Sequence, residues 1–362
     1  MDTLLPFPYY KGEAKRIEPK QGQETWRSLP APDLETLKSP EHYLASTDLA
    51  AAVNVALELG MPLLLTGDPG CGKSRLADSI AWELGFKNGK ALRYVVSSDM
   101  VKRDLFYEFD ALGRFRASND IGEKHHEPRH FIKYNALGLA ILRANGKKQA
   151  YHDIMRDQDW DELPEEGIRS VVLIDEIDKA PREVPNDLLT QLEDLSFNVP
   201  ELLYNDDIRL DEGRQDKRPI IIITSNGERD LPPAFLRRCI YFHIDLPPFR
   251  VENKATAITI ERIVEERLGD RFKGHDQVLQ DAFELFRRFR DSTLEQKPSI
   301  AELLAWLLYL GKRLPAAKDS LRKHKELRQS LKILIKPHHQ GDRDHAGQIV
   351  EEWLNPATRP KP

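Results

Sequence analysis

The sequence predicts an α/β fold, with a parallel five-stranded sheet that is flanked by helices and followed by an all-helical domain. Strand-like and helix-like segments alternate through about the first 245 residues, and helical patterns alone follow them. A glycine-rich stretch separates the first apolar strand from the helix after it. The length of 362 residues favours one large and one smaller domain.

Five short apolar runs predict the strands of the sheet. The run Ser170–Ile174 is continuous, which is typical of strands in a parallel sheet, and Met61–Thr66 and Pro219–Thr224 are likewise expected to be buried. In such sheets, ligands bind at the carboxyl ends of the strands, so the polar residues that follow these runs are candidates for a functional site. The runs are Met61–Thr66, Ala91–Ser97, Ser170–Ile174, Pro219–Thr224 and Cys239–Asp245.

Helical periodicity and capping residues predict the helices. Around the sheet we expect a helix capped by Ser46 or Thr47 that ends at Gly60, then Ser74–Leu84, Asp104–Phe115, Phe131–Arg143, Asn186–Leu195 and Leu231–Arg238. After the sheet we expect Val251–Leu268, Asp276–Arg290, Ser299–Leu314 and Ala316–Ile335. The acid-rich segment Asp153–Glu166 predicts a solvated loop, and Val199–Lys217 predicts a hairpin insertion.

The composition predicts a soluble, cytoplasmic protein. Charged residues make up 31% of the chain and hydrophobic residues 40%, and the formal net charge of -5 argues against a generally basic nucleic-acid binder. No apolar run approaches the roughly 20 residues of a bilayer-spanning helix, and the N-terminus lacks the pattern of a signal peptide. The two cysteines, Cys71 and Cys239, are expected to be free thiols.

The stretch Gly67–Ser74 has the spacing of a phosphate-binding loop: Gly67, four residues, then Gly72-Lys73-Ser74. Its glycines let successive backbone N–H groups point at an anion, and the helix that follows adds its positive N-terminal end. We expect Lys73 to reach the β- and γ-phosphates and Ser74 to hold Mg²⁺. The predicted nucleotide contacts are Gly67, Asp68, Pro69, Gly70, Cys71, Gly72, Lys73, Ser74 and Arg75.

Two of the other predicted strands also end in polar side chains. Asp175 is placed to bind Mg²⁺ together with Ser74, and Glu176 to polarise a water for attack on the γ-phosphate. Asn226 is placed to hydrogen-bond that water or the γ-phosphate. The structural alternatives are two acids that cap a helix and an asparagine in a turn.

Two arginines, Arg237 and Arg238, follow the segment LPPAF. One interpretation is a solvated helix end, since arginine favours helix C-termini. The other is an arginine finger, a charge inserted into a neighbour's site to stabilise the transition state. A finger used in this way requires a ring of subunits.

Together these motifs resemble AAA+ ATPases, and within them the MoxR family of the helix-2-insert clade. LLLTGDPGCGKSRLA, VVLIDEIDKAP, IIIITSN and LPPAFLRRC occur in that order, and DLFYEFDALGRF stands where this clade carries an insertion. The resemblance covers roughly residues 40–310. The expected organisation is an extended arm (1–40), a nucleotide-binding domain (41–247) with an insertion near 98–145 and a hairpin near 199–217, a helical lid (248–354) and a tail (355–362).

The resemblance also implies roles for single residues. Asn226 corresponds to sensor 1, and Arg238 to the finger, with Arg237 assisting. The family often has an arginine as sensor 2 at the start of the third lid helix, where this chain has Ala301. Either Lys297 or Arg290 substitutes for it, or the role is missing.

The implied function is an ATP-hydrolysing hexameric ring that remodels or activates client proteins beside a partner with a von Willebrand A domain. Phe106, Tyr107 and Phe109 would then contact clients or simply pack within the insertion. The alternative is a nucleic-acid-linked motor of a restriction or defence system, because Lys312–Lys336 holds nine Lys/Arg against two acids. A nucleotide switch with little turnover is a third hypothesis, against which Asp175, Glu176 and Asn226 argue.

Overall fold

The computed structural model describes residues 32–86, 89–119, 127–202, 207–250, 257–313, 320–324, 326–337 and 339–355. The chain forms two compact units, Met1–Ser39 and Pro40–Pro362. In the first unit, the described residues form a 3₁₀ turn at Leu34–Lys38. Residues 1–31 of the predicted N-terminal arm and the predicted tail after Asn355 lie outside the described residues.

The second unit contains all the regular helices and strands named below. In chain order, its described strands are β1 (Leu63–Gly67), β2 (Leu92–Val95), β3 (Tyr107–Phe109), β4 (Ile132–Tyr134), β5 (Val171–Asp175), β6 (Ser196–Phe197), β7 (Ile208–Arg209), β8 (Ile220–Thr224) and β9 (Ile240–Ile244). Its helices through the sheet region are α1 (Thr47–Leu59), α2 (Lys73–Glu83), α3 (Ala111–Asn119), α4 (Ala136–Asn145), α5 (Gln149–His152), α6 (Asp157–Asp161), α7 (Val184–Asp187), α8 (Leu189–Asp194) and α9 (Pro233–Leu236). The later helices are α10 (Ile260–Leu268), α11 (Asp276–Asp291), α12 (Ile300–Arg313), α13 (Glu326–Leu334) and α14 (Gln340–Leu354).

The main sheet is parallel and has the strand order β2-β5-β8-β1-β9. The fold class predicted from the sequence is therefore confirmed, and each predicted strand agrees with the observed one to within two residues at either end. Ile174 of β5 lies beside Ile223 of β8, and Leu65 of β1 lies beside Thr224. This register brings the carboxyl ends of β1, β5 and β8 together at one edge.

Side chains of the central strands alternate between two apolar cores, one on each face of the sheet. Leu64 points into the core that α4 and α8 cover, whereas Leu63 and Leu65 point into the core that α1 and α2 cover. The continuous apolar runs of the sequence are explained by this burial on both faces.

The insertion between β2 and α4 differs from the prediction. Asp104–Phe115 is not one helix, because it contains β3, which pairs antiparallel with β4. The predicted helix Phe131–Arg143 likewise begins as β4 and becomes helical only at Ala136. The physical reason is tertiary packing: Phe106 stacks on Phe197 with ring centroids 5.0 Å apart, and both Phe106 and Tyr107 are buried. These two aromatics are therefore packed in the core, with Phe106 against Phe197 of β6, rather than offering a surface to a client.

Three other boundaries also differ. The hairpin begins before Val199, since β6 pairs with β7, and its predicted second half forms a 3₁₀ turn at Glu212–Lys217; residues 203–206 lie outside the described residues. The predicted helix Asn186–Leu195 is interrupted between α7 and α8. The predicted loop Asp153–Glu166 contains α6, because the segment also buries Ile154 and Met155, and apolar burial outweighs its acidic composition.

Among the described residues, helices alone follow the sheet, as predicted. Of the predicted helix Val251–Leu268, residues 251–256 lie outside the described residues. Helix α10 begins at Ile260, and Thr259 caps it by accepting a hydrogen bond from the N–H of Arg262 at 3.2 Å. The sequence analysis did not predict helix α14, because its first turns are polar and its buried residues, which include Trp353, come only in the later turns. Among the described helices, none is both long and apolar enough to cross a bilayer.

Candidate functional site

The glycine-rich loop connects β1 to α2 at the edge of the sheet where strands β1, β5 and β8 end. Gly70 and Gly72 have φ angles of 77° and 103°, in the left-handed region that favours glycine. A Cβ atom on Gly70 would lie 2.6 Å from Ser299 Oγ, just before α12. The loop therefore needs glycine both for its curvature and for the close approach of the helical lid.

Lys73 lies across this loop. Its side chain is buried, with the residue 6% exposed, and Nζ donates to the carbonyl oxygens of Gly67 at 2.8 Å and Asp68 at 3.1 Å. A buried ammonium group requires such partners, because it has lost its hydration. The charge is thus held against the backbone of the glycine-rich loop.

Ser74 and Asp175 meet as the spacing predicts. Ser74 Oγ donates to Asp175 Oδ1 at 2.7 Å, although the residues are 101 positions apart. Asp175 is the last residue of β5 and is largely buried. The same Oδ1 atom accepts a second hydrogen bond from Thr224 Oγ1 at 2.6 Å.

Arg93 of β2 contacts the site, although the sequence analysis missed it. Its Nη1 atom donates to Asp175 Oδ2 and its Nη2 atom donates to Asp78 Oδ2, each at 3.3 Å. Both oxygens of Asp175 therefore have donors. The available sequence signal was a charged residue inside an otherwise uncharged strand segment, ALRYVVS.

Glu176 has φ 63° and ψ 49°, the left-handed conformation that non-glycine residues rarely adopt. Its Oε1 atom accepts from Asn226 Nδ2 at 3.3 Å, and its Oε2 atom accepts from Lys179 Nζ at 2.7 Å. The hydrogen bond to Glu176 raises the pKa of Lys179, so this ammonium stays charged at neutral pH. The two residues predicted to act on the attacking water thus lie in direct contact.

Asp178 positions the loop that carries Asn226. Its carboxylate is buried, and Oδ2 accepts from the backbone N–H groups of Asn226 at 3.1 Å and Glu228 at 2.9 Å. The other carboxylate oxygen of Asp178, Oδ1, has no hydrogen-bond partner among the described residues. The turn after β5 is in this way joined to the loop after β8.

Arg237 and Arg238 lie at the end of α9. Arg238 forms an ion pair through Nε with Glu193 of α8, and its side chain remains 43% exposed. Among the described residues, the Arg238 guanidinium hydrogen-bonds to Glu193 and to the carbonyl oxygen of Ala234, and neither bond reaches Ser74, Asp175 or Glu176. A single chain therefore does not bring this arginine into the cluster.

The lid contributes a different arginine to the loop. Arg290 of α11 donates from Nη2 to Asp68 Oδ2 at 3.3 Å, and from Nη1 to the carbonyl oxygen of Pro298 at 3.4 Å. Lys297 is exposed. Of the two cations considered as substitutes at the lid, Arg290 is the one that the structure places against the phosphate loop.

Tyr43, before α1, is a further contact that the sequence analysis missed. Its ring carbon Cε2 lies 3.3 Å from the position of a Cβ on Gly72. Burial raises the pKa of its hydroxyl. Nothing in the spacing around Tyr43 indicated this position, because the contact is made only by the fold.

The two thiols should differ in reactivity towards iodoacetamide. Burial raises the pKa of Cys71, with Lys73 partly opposing the shift, and burial raises the pKa of Cys239 to about 12. Because the thiolate is the reactive form, both should react slowly near pH 7 and faster as pH rises. We expect Cys71 to react before Cys239 and ATP to slow only Cys71, as measured by mass spectrometry of peptides. Faster modification of Cys239 than of Cys71, or protection by ATP of Cys239 alone, would contradict this prediction.

The donor set suits Mg²⁺ bound with a nucleotide. Ser74 and Asp175 supply oxygen atoms, and Mg²⁺ is commonly held by one or two protein oxygens, water and substrate phosphates. Among the described residues, no group of three or more His, Cys, Asp or Glu side chains is placed to hold a metal. A resident metal bound only by such side chains is therefore not found in the described residues, whereas a shared phosphate–metal site fits them.

Comparison with known proteins finds a match for the part of the chain that carries most of this site. Residues 62–239, slightly less than half of the chain, match the AAA domain (dynein-related subfamily). A crystal structure of a candidate ATPase from Cytophaga hutchinsonii ATCC 33406 aligns with 13% identity over 88% of this chain and 92% of that chain, with a TM-score of 0.33. No curated protein sequence matches the chain.

Proposed function

We propose that the chain hydrolyses ATP with Mg²⁺ as a MoxR-type ring that remodels or activates client proteins, because residues 62–239 match the AAA domain (dynein-related subfamily). The observation that carries the proposal is the 2.7 Å contact between Ser74 Oγ and Asp175 Oδ1 beside the phosphate loop. This contact joins the start of α2, just after the glycine-rich loop, to the carboxylate at the end of β5. P-loop NTPases use this arrangement to hold a cation that is bound to phosphate.

The proposed reaction is ATP plus water to ADP and phosphate. Lys73 and the backbone N–H groups of the loop, which Pro69 alone lacks, would hold the phosphates, while Ser74 and Asp175 would hold Mg²⁺. The bound cation would neutralise charge on the β- and γ-phosphate oxygens. Glu176 accepts the proton of the attacking water, and Asn226 orients that water or the γ-phosphate. The 3.3 Å contact between Glu176 and Asn226 supports a shared task for them.

Phosphate release by the purified full chain tests this function. We expect release from ATP that requires Mg²⁺, stops in EDTA and is lost in Lys73→Ala. The choice of ATP over GTP rests on the resemblance, so GTP is the comparison substrate. An intact, folded chain that hydrolyses neither nucleotide at any protein concentration would refute the proposed enzyme activity.

A hexameric ring is proposed because Arg238 does not reach the cluster within its own subunit. Arg238 is the proposed finger, with Arg237 assisting, and its half-exposed side chain is accessible to a neighbour. A finger supplied in trans is typically worth about 10³–10⁵ in rate. Specific activity should therefore rise with protein concentration, together with the mass measured by light scattering.

The client and a partner with a von Willebrand A domain are proposed on the resemblance, as is a cytoplasmic location. A chain that binds ATP without hydrolysing it should hold such a complex longest. We expect Glu176→Gln with ATP to retain a von Willebrand A protein from the native host, and Lys73→Ala to retain none. If both variants retain the same proteins, the association is independent of the nucleotide.

A nucleic-acid-linked motor of a restriction or defence system is the alternative. The structure weakens its sequence basis, because several described cations of Lys312–Lys336 pair with acids of the same chain: Arg322 with Glu284, Arg328 with Glu351, and Lys336 with Glu302. Such pairing reduces the field available to phosphates. ATPase stimulation by DNA or RNA at low salt, with a steep salt dependence, would favour this alternative.

Arg290→Ala is expected to weaken ATP binding several-fold and to lower kcat less. The reason is that Arg290 links α11 to Asp68 of the loop, where a lid cation would meet a phosphate. The ion pair is open to solvent at Asp68, whose side chain is 65% exposed, and such a pair contributes only about 0–1 kcal/mol to folding, so stability should change little. Lys297→Ala, measured beside it by nucleotide titration, should bind as the wild type does; the reverse ranking would make Lys297 the lid cation.

A further inference from the structure

Thr224 is a polar side chain at the end of an otherwise apolar strand. It is the last residue of β8, which reads IIIIT, and it is only 1% exposed. A buried hydroxyl is costly unless it is hydrogen-bonded. The contacts that satisfy it therefore indicate why a threonine, rather than another isoleucine or valine, occupies this position.

Both hydrogen-bonding capacities of the hydroxyl are used, and both partners belong to the site. Thr224 Oγ1 donates to Asp175 Oδ1 at 2.6 Å and accepts from the backbone N–H of Glu176 at 2.9 Å. One atom of β8 therefore contacts the carboxylate proposed to hold the metal and the backbone of the residue proposed to be the base.

The backbone of Glu176 needs such support. With φ at 63° it adopts a left-handed conformation that costs a non-glycine residue free energy, and such strain persists only where neighbours hold it. The hydrogen bond from its N–H to Thr224 is one such restraint. This conformation also directs the side chain to the contact with Asn226, which lies two residues after Thr224.

The remaining contacts of Asp175 do not replace this one. Ser74 Oγ shares Oδ1, but Ser74 is itself a proposed ligand of Mg²⁺ and would turn towards the cation. Arg93 donates to the other oxygen, Oδ2, from a side chain that is about one-third exposed. Thr224 is buried and donates to Asp175 Oδ1, and unlike Ser74 it is not proposed to bind Mg²⁺.

We propose that Thr224 is a positioning residue that joins the metal-binding and water-activating acids of the site. Its hydroxyl fixes the carboxylate rotamer of Asp175 and the backbone conformation of Glu176 at once. The inference rests on the proposed function for its kinetic effect, but the link between the two acids is a property of the folded chain.

The test compares Thr224→Val, which keeps the shape and removes the hydroxyl, with Thr224→Ser, which keeps the hydroxyl. We expect Thr224→Val to lower kcat at least about tenfold, equivalent to about 1.4 kcal/mol of transition-state stabilisation, and to raise the Mg²⁺ concentration for half-maximal rate several-fold. ATP affinity measured in EDTA should change less than about twofold, because Lys73 and the loop are untouched. Thr224→Ser should return kcat to within about threefold of the wild type.

Amide hydrogen exchange supplies a readout that does not depend on turnover. The Glu176 N–H should lose protection in Thr224→Val and keep it in Thr224→Ser, while amides in α1 stay unchanged. Ile222→Val serves as the matched control, since it perturbs the same buried strand without touching a polar contact. If Thr224→Val does not fold, Thr224→Ala in the same comparisons takes its place.

Three outcomes would overturn the proposal: wild-type kcat and Mg²⁺ dependence in Thr224→Val, equal impairment of the Val and Ser variants, or unchanged exchange at Glu176. These outcomes differ from failure of the proposed function. If the wild-type chain releases no phosphate, the function is wrong, and the exchange experiment still decides whether Thr224 restrains Glu176.

Discussion

Glu176→Gln is expected to bind ATP with nearly wild-type affinity and to lose hydrolysis, with a fall in phosphate release of about 10²–10⁴-fold or more. The glutamine side chain cannot accept a proton from water, whereas the loop and Lys73, which are proposed to bind the phosphates, remain intact. Folding should be affected little, because the ion pair lost with Lys179 is partly exposed and worth about 0–1 kcal/mol. Phosphate release and nucleotide titration on the same preparation measure both halves of this result.

The matched control is Glu83→Gln, which removes one acid from the exposed end of α2 in the same domain. It should hydrolyse ATP at the wild-type rate. Wild-type phosphate release from Glu176→Gln would refute the assignment of Glu176 as the base, and loss of ATP binding would show instead that its charge shapes the nucleotide site.

Arg238→Ala is expected to leave ATP affinity largely intact and to lower turnover by about 10³–10⁵-fold. The guanidinium would act only on charge that develops in the transition state of a neighbouring subunit, so its loss should appear in kcat rather than in binding. Within its own subunit it pairs with Glu193, a contact it must leave to reach a neighbour. Arg237→Ala should show a smaller loss if Arg237 only assists.

Mixing two inactive chains distinguishes a finger in trans from one in cis. Glu176→Gln keeps Arg238, and Arg238→Ala keeps Glu176, so a mixed ring contains some interfaces at which both groups are intact. We expect the mixture to recover part of the wild-type activity, whereas each variant alone stays inactive. Absence of recovery, in a mixture that light scattering shows to be assembled, would exclude a shared site.

The sheet and the main cluster could be predicted from the sequence because their signals are local. Apolar runs buried on both faces mark the strands, and Gly67–Ser74 and Asp175 carry patterns set by phosphate and metal chemistry. The parallel arrangement alone then implies that strand ends meet, and Ser74 does lie 2.7 Å from Asp175. The roles of these residues in catalysis remain predictions that the variants above test.

The insertion could not be predicted in the same way. Its segment DLFYEFDALGRF has a helical pattern, but pairing of β3 with β4 and stacking of Phe106 on Phe197 favour a strand there. Such contacts join residues that are far apart in the chain, and local propensity is a weak prior against them. The same reason explains why Arg93 and Tyr43 were missed.

The sequence by itself determined the five strands of the main sheet along the chain, the glycine-rich loop and the acidic and amide residues at the strand ends, since each depends on neighbours along the chain. The tertiary structure alone decided which side chains join these groups. It selected Arg290 over Lys297 as the lid contact, placed Lys179 on Glu176, and set one hydroxyl, Thr224, between Asp175 and Glu176. These are contacts between elements, and their distances follow from how the sheet registers and the helices pack rather than from any spacing in the chain.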